Sequence, residues 1–185
     1  MGSDSIAAAQ VTKDIHAWEA GGAKSPEALS GWVSARLAAH EAAIAALLAV
    51  EGPRTIENTL RLYDAAIEHL SLAGAQAGVL NSVAAEKAVR DQAQMEAQRI
   101  AMAGSALSLN RGVYDALVAM SLDGASAATR YFVERTLLGY RLAGVDKEQA
   151  TRERLQALHE KATKHSLDFS LIILGQLVQD FALLV

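Results

Sequence analysis

The chain has 185 residues, 51% of them hydrophobic and 21% charged, enough to bury one real core and too few for two ample ones. Its 17 Lys and Arg against 21 Asp and Glu leave a formal charge of -4, with no long block of one sign, which argues against a nucleic-acid-binding surface. Cysteine is absent; disulfides, thiolate metal sites and a cysteine nucleophile are therefore excluded. The N-terminus lacks the basic-then-apolar order of a signal peptide, so the expected location is cytoplasmic.

Alanine and leucine dominate, with two prolines and 5% aromatics, the composition of long helices packed through small side chains. The expectation is an all-α fold: an antiparallel multi-helix bundle of long helices forming a single domain over residues 1–185. A first helix is expected from Ser5 to Ala20, where Ile6, Val11, Ile15 and Trp18 recur at near-helical spacing and Gly21-Gly22 follows. Ser25-Pro26-Glu27 then places a hydroxyl at the cap, proline at the first helical position and a carboxylate in the first turn. The resulting helix runs to Val50, with a stripe of Leu29, Trp32 or Val33, Leu37, Ile44, Leu47 and Leu48, and Gly52-Pro53 ends it.

Thr55 caps a third helix whose face is Ile56, Leu60, Tyr63, Ile67 and Leu70, continuing towards Leu80 with Gly74 and Gly78 as close helix contacts. Ser82 with Glu86 opens a polar helix whose few apolar positions, Val89, Met95 or Ile100, and Met102, predict a solvated outer helix. Asn110 caps a short helix through Met120, Ser126 caps another over Ala127 to Ala143, and Gly144 closes it. Asp146 and Gln149 resemble a capping box opening the last helix. Trp18, Trp32, Tyr63, Tyr114 and Tyr131 are expected to anchor the core or its rim.

The end of the last helix is distinctive. Leu167, Leu171, Leu174, Val178, Phe181 and Val185 alternate steps of four and three, the spacing of a helix-to-helix seam. Residues 171–185 would make about 22 Å of helix, short of a hydrocarbon core of roughly 30 Å, and Gln176, Gln179 and Asp180 interrupt them. An association surface is expected instead of a membrane span, with a homodimer formed through Leu171, Leu174, Val178, Phe181 and Val185.

Gly52-Pro53-Arg54-Thr55-Ile56-Glu57-Asn58-Thr59-Leu60 resembles a segment in the N-terminal helical region of the thimet oligopeptidase family of zinc metallopeptidases, which includes bacterial oligopeptidase A and dipeptidyl carboxypeptidase. Asn110-Arg111-Gly112-Val113-Tyr114-Asp115-Ala116-Leu117 is similar to another segment of that region. So are Arg130-Tyr131-Phe132-Val133-Glu134-Arg135-Thr136-Leu137, Arg141-Leu142-Ala143-Gly144-Val145 and Leu167-Asp168-Phe169-Ser170. The resemblance spans residues 50–170 and implies a helical wall beside a substrate channel that admits short peptides. After Ser170 the apolar tail departs from the family pattern, as in a truncation with a shifted frame or a redesigned end.

The family's chemistry needs HExxH on a helix, two histidines holding zinc and a glutamate activating its water. Here His40-Glu41 meets Ile44 where the second histidine should stand, and His159-Glu160 meets Thr163. No catalytic residue carries over. The remaining candidates are pairs at helical spacing: His165 with Asp168, His16 with Glu19, and Asp64 with Glu68, followed by His69. The ordinary role for such pairs is a solvated face or local hydrogen bond.

Two readings follow. One is a non-catalytic helical module, the N-terminal fragment of an oligopeptidase, self-associating through its C-terminal helix. The other is a small metal-dependent hydrolase acting on phosphoesters or peptides, with zinc or manganese held by ligands from His165, Asp168, Asp64, Glu68 and His69 on the bundle or at a dimer cleft.

Overall fold

A computed structural model describes residues 25–182, with side chains beyond Ser166 described only at Phe169. The expected helix over Ser5 to Ala20, together with Trp18, His16, Glu19 and Val185, lies outside the described residues. Among those described there are six α-helices and one π-helical turn: α1 (Pro26–Leu48), the turn (Ile56–Leu60), α2 (Arg61–Val83), α3 (Lys87–Ser108), α4 (Arg111–Val118), α5 (Ala127–Ala143) and α6 (Gln149–Ala182). The fold is an all-α bundle.

Local chemistry sets most of these boundaries. Ser25 accepts the Ala28 amide at 3.1 Å, with Pro26 behind it. Asn110 accepts from Val113 and Ser126 from Thr129, each at 3.1 Å, satisfying amides that a helix start leaves bare. Gly144 stops α5 at φ +98°, a left-handed residue after which the Val145 amide reaches back to the Tyr140 carbonyl at 3.1 Å.

Two starts differ from expectation. Ser82 opens nothing: it sits in the last turn of α2, where its hydroxyl donates to the Gly78 carbonyl, and α3 begins only at Lys87. α6 begins at Gln149, so Asp146 is not its cap. Glu148 supplies the first carbonyl, to the Arg152 amide, and the Gln149 side chain donates forward to Glu153.

The core is built on heptad-like seams. Buried residues of α1 are Leu29, Val33, Arg36, His40 and Leu47, and those of α3 are Val89, Ala93, Glu96, Ile100 and Leu107. Both sets step by four, three, four and seven. α2 answers with Tyr63, Ala66, Ala73, Ala77 and Leu80, and its alanines let the three helices approach closely, since a helix pair separates only as far as its contact side chains demand.

Residues of these seams gather in two clusters. Leu29 and Val33 meet Ala73, Ala77, Leu80, Val89 and Ala93 in one. Leu47 meets Leu60, Tyr63, Leu107, Val113, Leu117, Val133 and Tyr140 in the other. Leu70 packs against both.

The expectation of α3 as a solvated outer helix is therefore overturned. α3 packs on α1, α2 and α6; of its expected stripe Val89 and Ile100 are buried, while Met102, and Met95 as the alternative to Ile100, are about half exposed. Alanine supplies much of its inner face. Leu48 likewise turns outward, and Tyr131 is 65% exposed instead of anchoring the core. Gly74 makes the expected close approach, with Ile100 3.8 Å from where a Cβ would stand, but Gly78 faces nothing within 4 Å.

Candidate functional site

Arg36, His40 and Glu96 are buried in the seams although their side chains are cationic, imidazole and carboxylate. Each has a partner. The Arg36 guanidinium lies 5.1 Å from the Trp32 ring centroid, and its Nη1 donates to Nδ1 of His69 at 3.2 Å. Guanidinium nitrogens can only donate, so His69 Nδ1 is the unprotonated nitrogen. His40 has the opposite arrangement: its Nδ1 lies 2.9 Å from the Ala66 carbonyl, which can only accept, so that nitrogen carries the proton. On α3, Glu96 accepts from Gln92 at 2.7 Å and from Arg99 at 2.6 Å, and Arg99 continues to the Ser34 hydroxyl of α1 at 3.1 Å.

Residues expected as ligands take separate places. Asp64 and Glu68 are exposed on α2, His69 is half-buried against Arg36, and His165 is exposed on α6. The Asp168 side chain lies outside those described, as do the side chains of Leu171, Leu174, Val178 and Phe181. Among the described residues no group of three or more His, Asp or Glu is placed to hold a metal ion.

Asp64 instead edges a cleft of about 380 Å³ between the π-helical turn and α5, beside Arg61, Leu60, Thr129 and the partly exposed Phe132. A second cleft, of about 320 Å³, is lined by His40, Glu41, Ile44, Leu48 and Asn110. Neighbouring helix positions diverge by about 100°, so His40 and Glu41 share a cleft without forming a pair. Orientation of an imidazole by a backbone carbonyl is what a metal-binding or base-catalytic histidine uses. Here one oriented imidazole stands without a converging nucleophile or ligand set among the described residues.

The segments singled out in the sequence at 52–60, 110–117, 130–137 and 141–145 have architectural positions. Arg54 donates to the Leu47 carbonyl at 3.0 Å and its own carbonyl accepts the Ser121 amide at 2.9 Å, tying the α1–α2 corner to the end of α4. Thr55 and Asn58 form a reciprocal capping box: the Asn58 amide donates to Thr55 Oγ1, and Asn58 Oδ1 accepts the Thr55 amide at 2.8 Å. Asn58 also donates to the Pro53 carbonyl at 3.0 Å. Further along, Asn110 caps α4, Val113 and Leu117 enter the core, and Val133, Tyr140 and Val145 complete it.

Arg36, His40 and Glu96 were not legible as buried from residue type, yet all three fall on the seam spacing of their helices. Among the described residues no helix is long and apolar enough to cross a membrane. No protein-family model matches the chain, and no curated protein is significantly similar to it.

Proposed function

We propose that this chain is a non-catalytic helical module, similar to the N-terminal wall of the oligopeptidase type, whose 185 residues carry no HExxH zinc motif and which pairs with a second copy through its last helix. The observation that carries the reading is where the resembling residues stand. Arg54, Thr55, Asn58, Asn110 and Gly144 hold corners and helix ends, so what they specify is a stack of helices and not a reaction. The polar groups most suited to chemistry, His40, His69 and Glu96, are engaged in bonds between or along those helices.

The pairing is supported by the length of α6. Its 34 residues extend about 51 Å at 1.5 Å per residue, against about 33 Å for the 22 residues of α3, on which it packs. Its last two turns read Leu174, Leu177, Val178, Phe181, a sequence suited to contact with another apolar helix.

Analytical ultracentrifugation of the full chain tests this reading beside the double variant Leu174→Asp/Phe181→Asp. The expected result is a dimer for the parent and a monomer of unchanged helicity for the variant, with no hydrolysis of a peptide or phosphoester substrate when zinc or manganese is added. A parent that is monomeric at all concentrations refutes the pairing. Stoichiometric bound metal, with turnover lost to a chelator and to His165→Ala, refutes the non-catalytic reading and replaces it with the hydrolase.

A further inference from the structure

The cleft beside His40 does not depend on the pairing of α6. It measures about 320 Å³, a size within the roughly 300–1,000 Å³ of small-molecule sites. Ile44 and Leu48 from α1 and Ala103 and Ala106 from α3 give it an aliphatic lining, and Asn110 stands where α4 begins. Among the described residues no Lys or Arg lines it. Glu41 is exposed at its edge, and none of the ion pairs among the described residues involves it.

His40 is the informative residue. Its ring enters from α1 and is held by one nitrogen, Nδ1, which donates to the Ala66 carbonyl of α2 at 2.9 Å. With that edge turned to α2, the edge left to line the cleft is the one that carries Nε2. A neutral imidazole with its proton on Nδ1 has an acceptor lone pair at Nε2. His40 keeps 6% of its surface exposed. Nε2 makes no hydrogen bond among the described residues and is not sealed from solvent, so its lone pair opens on the cleft. The backbone carbonyl fixes both the tautomer and the direction of that lone pair.

We propose that this cleft binds a small primary alkylammonium ion, which donates an N–H to His40 Nε2, sets its charge against the Glu41 carboxylate and lays its aliphatic chain on Ile44, Leu48 and Ala103. A carboxylate entering here would meet an acceptor and an anion with no Lys or Arg to receive it. An alcohol would donate to Nε2 and gain nothing from Glu41, whereas a charged donor makes the stronger bond. A hydrocarbon would fill the space and leave Nε2 without a donor.

The test is titration of the isotope-labelled full chain with n-butylammonium, read by NMR at the His40 ring nitrogens and the backbone amides, with butyrate and butanol as comparators. The Nε2 resonance should move saturably while Nδ1 stays, with amide shifts centred on Ile44, Ala103 and Ala106. Butanol should bind about tenfold more weakly, and butyrate more weakly still. Glu41→Gln should bring n-butylammonium down to the affinity of butanol. His40→Asn keeps a donor for the Ala66 carbonyl, removes Nε2 and should weaken n-butylammonium by about tenfold. That variant alters a buried seam, so Ala106→Leu is made beside it: the position is exposed on α3, both residues are good helix formers, and the longer side chain fills the cleft. Helicity should be unchanged and binding abolished. A stationary Nε2 resonance, shifts that fail to saturate, or binding unchanged in Ala106→Leu overturns the proposal, as does butanol or butyrate binding as tightly as n-butylammonium.

Discussion

Gly144→Ala should be among the most damaging single-methyl changes in this protein, and Gly139→Ala, five residues earlier on the same helix, should be favourable. At Gly144 the backbone has φ +98°, and a Cβ would stand 2.5 Å from Leu155 Cδ1. A side chain in the left-handed region costs about 1–2 kcal/mol. Carbon atoms pack best near 3.5–4.0 Å, so Leu155 must also move, an overpacking cost of about 1–3 kcal/mol. The sum is about 2–5 kcal/mol, or a fall in Tm of about 4–20 °C at about 2–4 °C per kcal/mol for a chain of this size. Gly139 has ordinary helical φ and open space, so alanine there should add about 0.5–1 kcal/mol. Urea and thermal unfolding followed by circular dichroism measure both. Leu155→Ala made in the Gly144→Ala background separates the two costs, because it relieves the overlap and leaves the backbone term. If Gly144→Ala lies within about 0.5 kcal/mol of the parent, in the range of an ordinary surface change, the α5–α6 junction is not packed as described.

Three further outcomes follow from the same geometry. Thr55→Ala removes the hydroxyl half of the capping box and should cost about 1 kcal/mol in urea unfolding; an unchanged midpoint would show that the corner is held by Arg54 and Asn58 alone. Glu96→Ala leaves Arg99 unpaired, but Arg99 is 45% exposed, so the cost should be about 1–2 kcal/mol and not the 3–5 kcal/mol of a fully buried pair, whereas Glu57→Ala in the exposed pair with Arg61 should be silent. Tyr63 and Tyr140 both have folded-state pKa values above the unfolded value near 10. Their stabilisation is therefore complete below pH 10 and declines as pH rises beyond it, by up to about 1.4 kcal/mol per pH unit for each phenol. Urea midpoints measured across that range should fall less steeply in Tyr63→Phe/Tyr140→Phe, and an unaltered slope would contradict the buried phenols.

Much of this fold was legible in the sequence, and the parts that were not have physical reasons. Ser25, Thr55, Asn110, Ser126 and Gly144 announce their helix ends because a bare amide or a left-handed backbone position demands a particular residue type. The seams were harder. Following α1 from Leu29 and Val33 in steps of three and four lands on Arg36 and His40, residue types ordinarily assigned to the solvated face. α3 repeats the difficulty: Val89 and Ile100 of the expected stripe are buried, but Ala93 is weakly hydrophobic and Glu96 is charged, so the rest of the inner face reads as polar and Met102 stood in for it. Burial was decided there by partners on other turns and helices, Gln92, Arg99, His69 and the Ala66 carbonyl, and residue spacing alone does not reveal a partner. The cleft of about 410 Å³ lined by Tyr63, Ser108 and Tyr140 depended on still more distant information, since these residues come from three helices.

The same distinction separates the corners of this bundle from its seams. A helix corner accepts few sequences: Gly52 at φ +77° needs a left-handed backbone, Thr55 and Asn58 must exchange hydrogen bonds, and Arg54 must reach the Leu47 carbonyl in the preceding helix and the Val50 carbonyl just beyond it. A seam position accepts almost any small apolar side chain that keeps the volume, and alanine at 66, 73 and 77 could be matched by many unrelated helices. The corner residues therefore answer to the backbone, and what they specify is how the helices are stacked. Chemistry leaves a different trace: side chains drawn from separate elements to one point, often with local strain or unmet hydrogen bonds. Among the described residues no three His, Asp or Glu side chains are drawn together in that way.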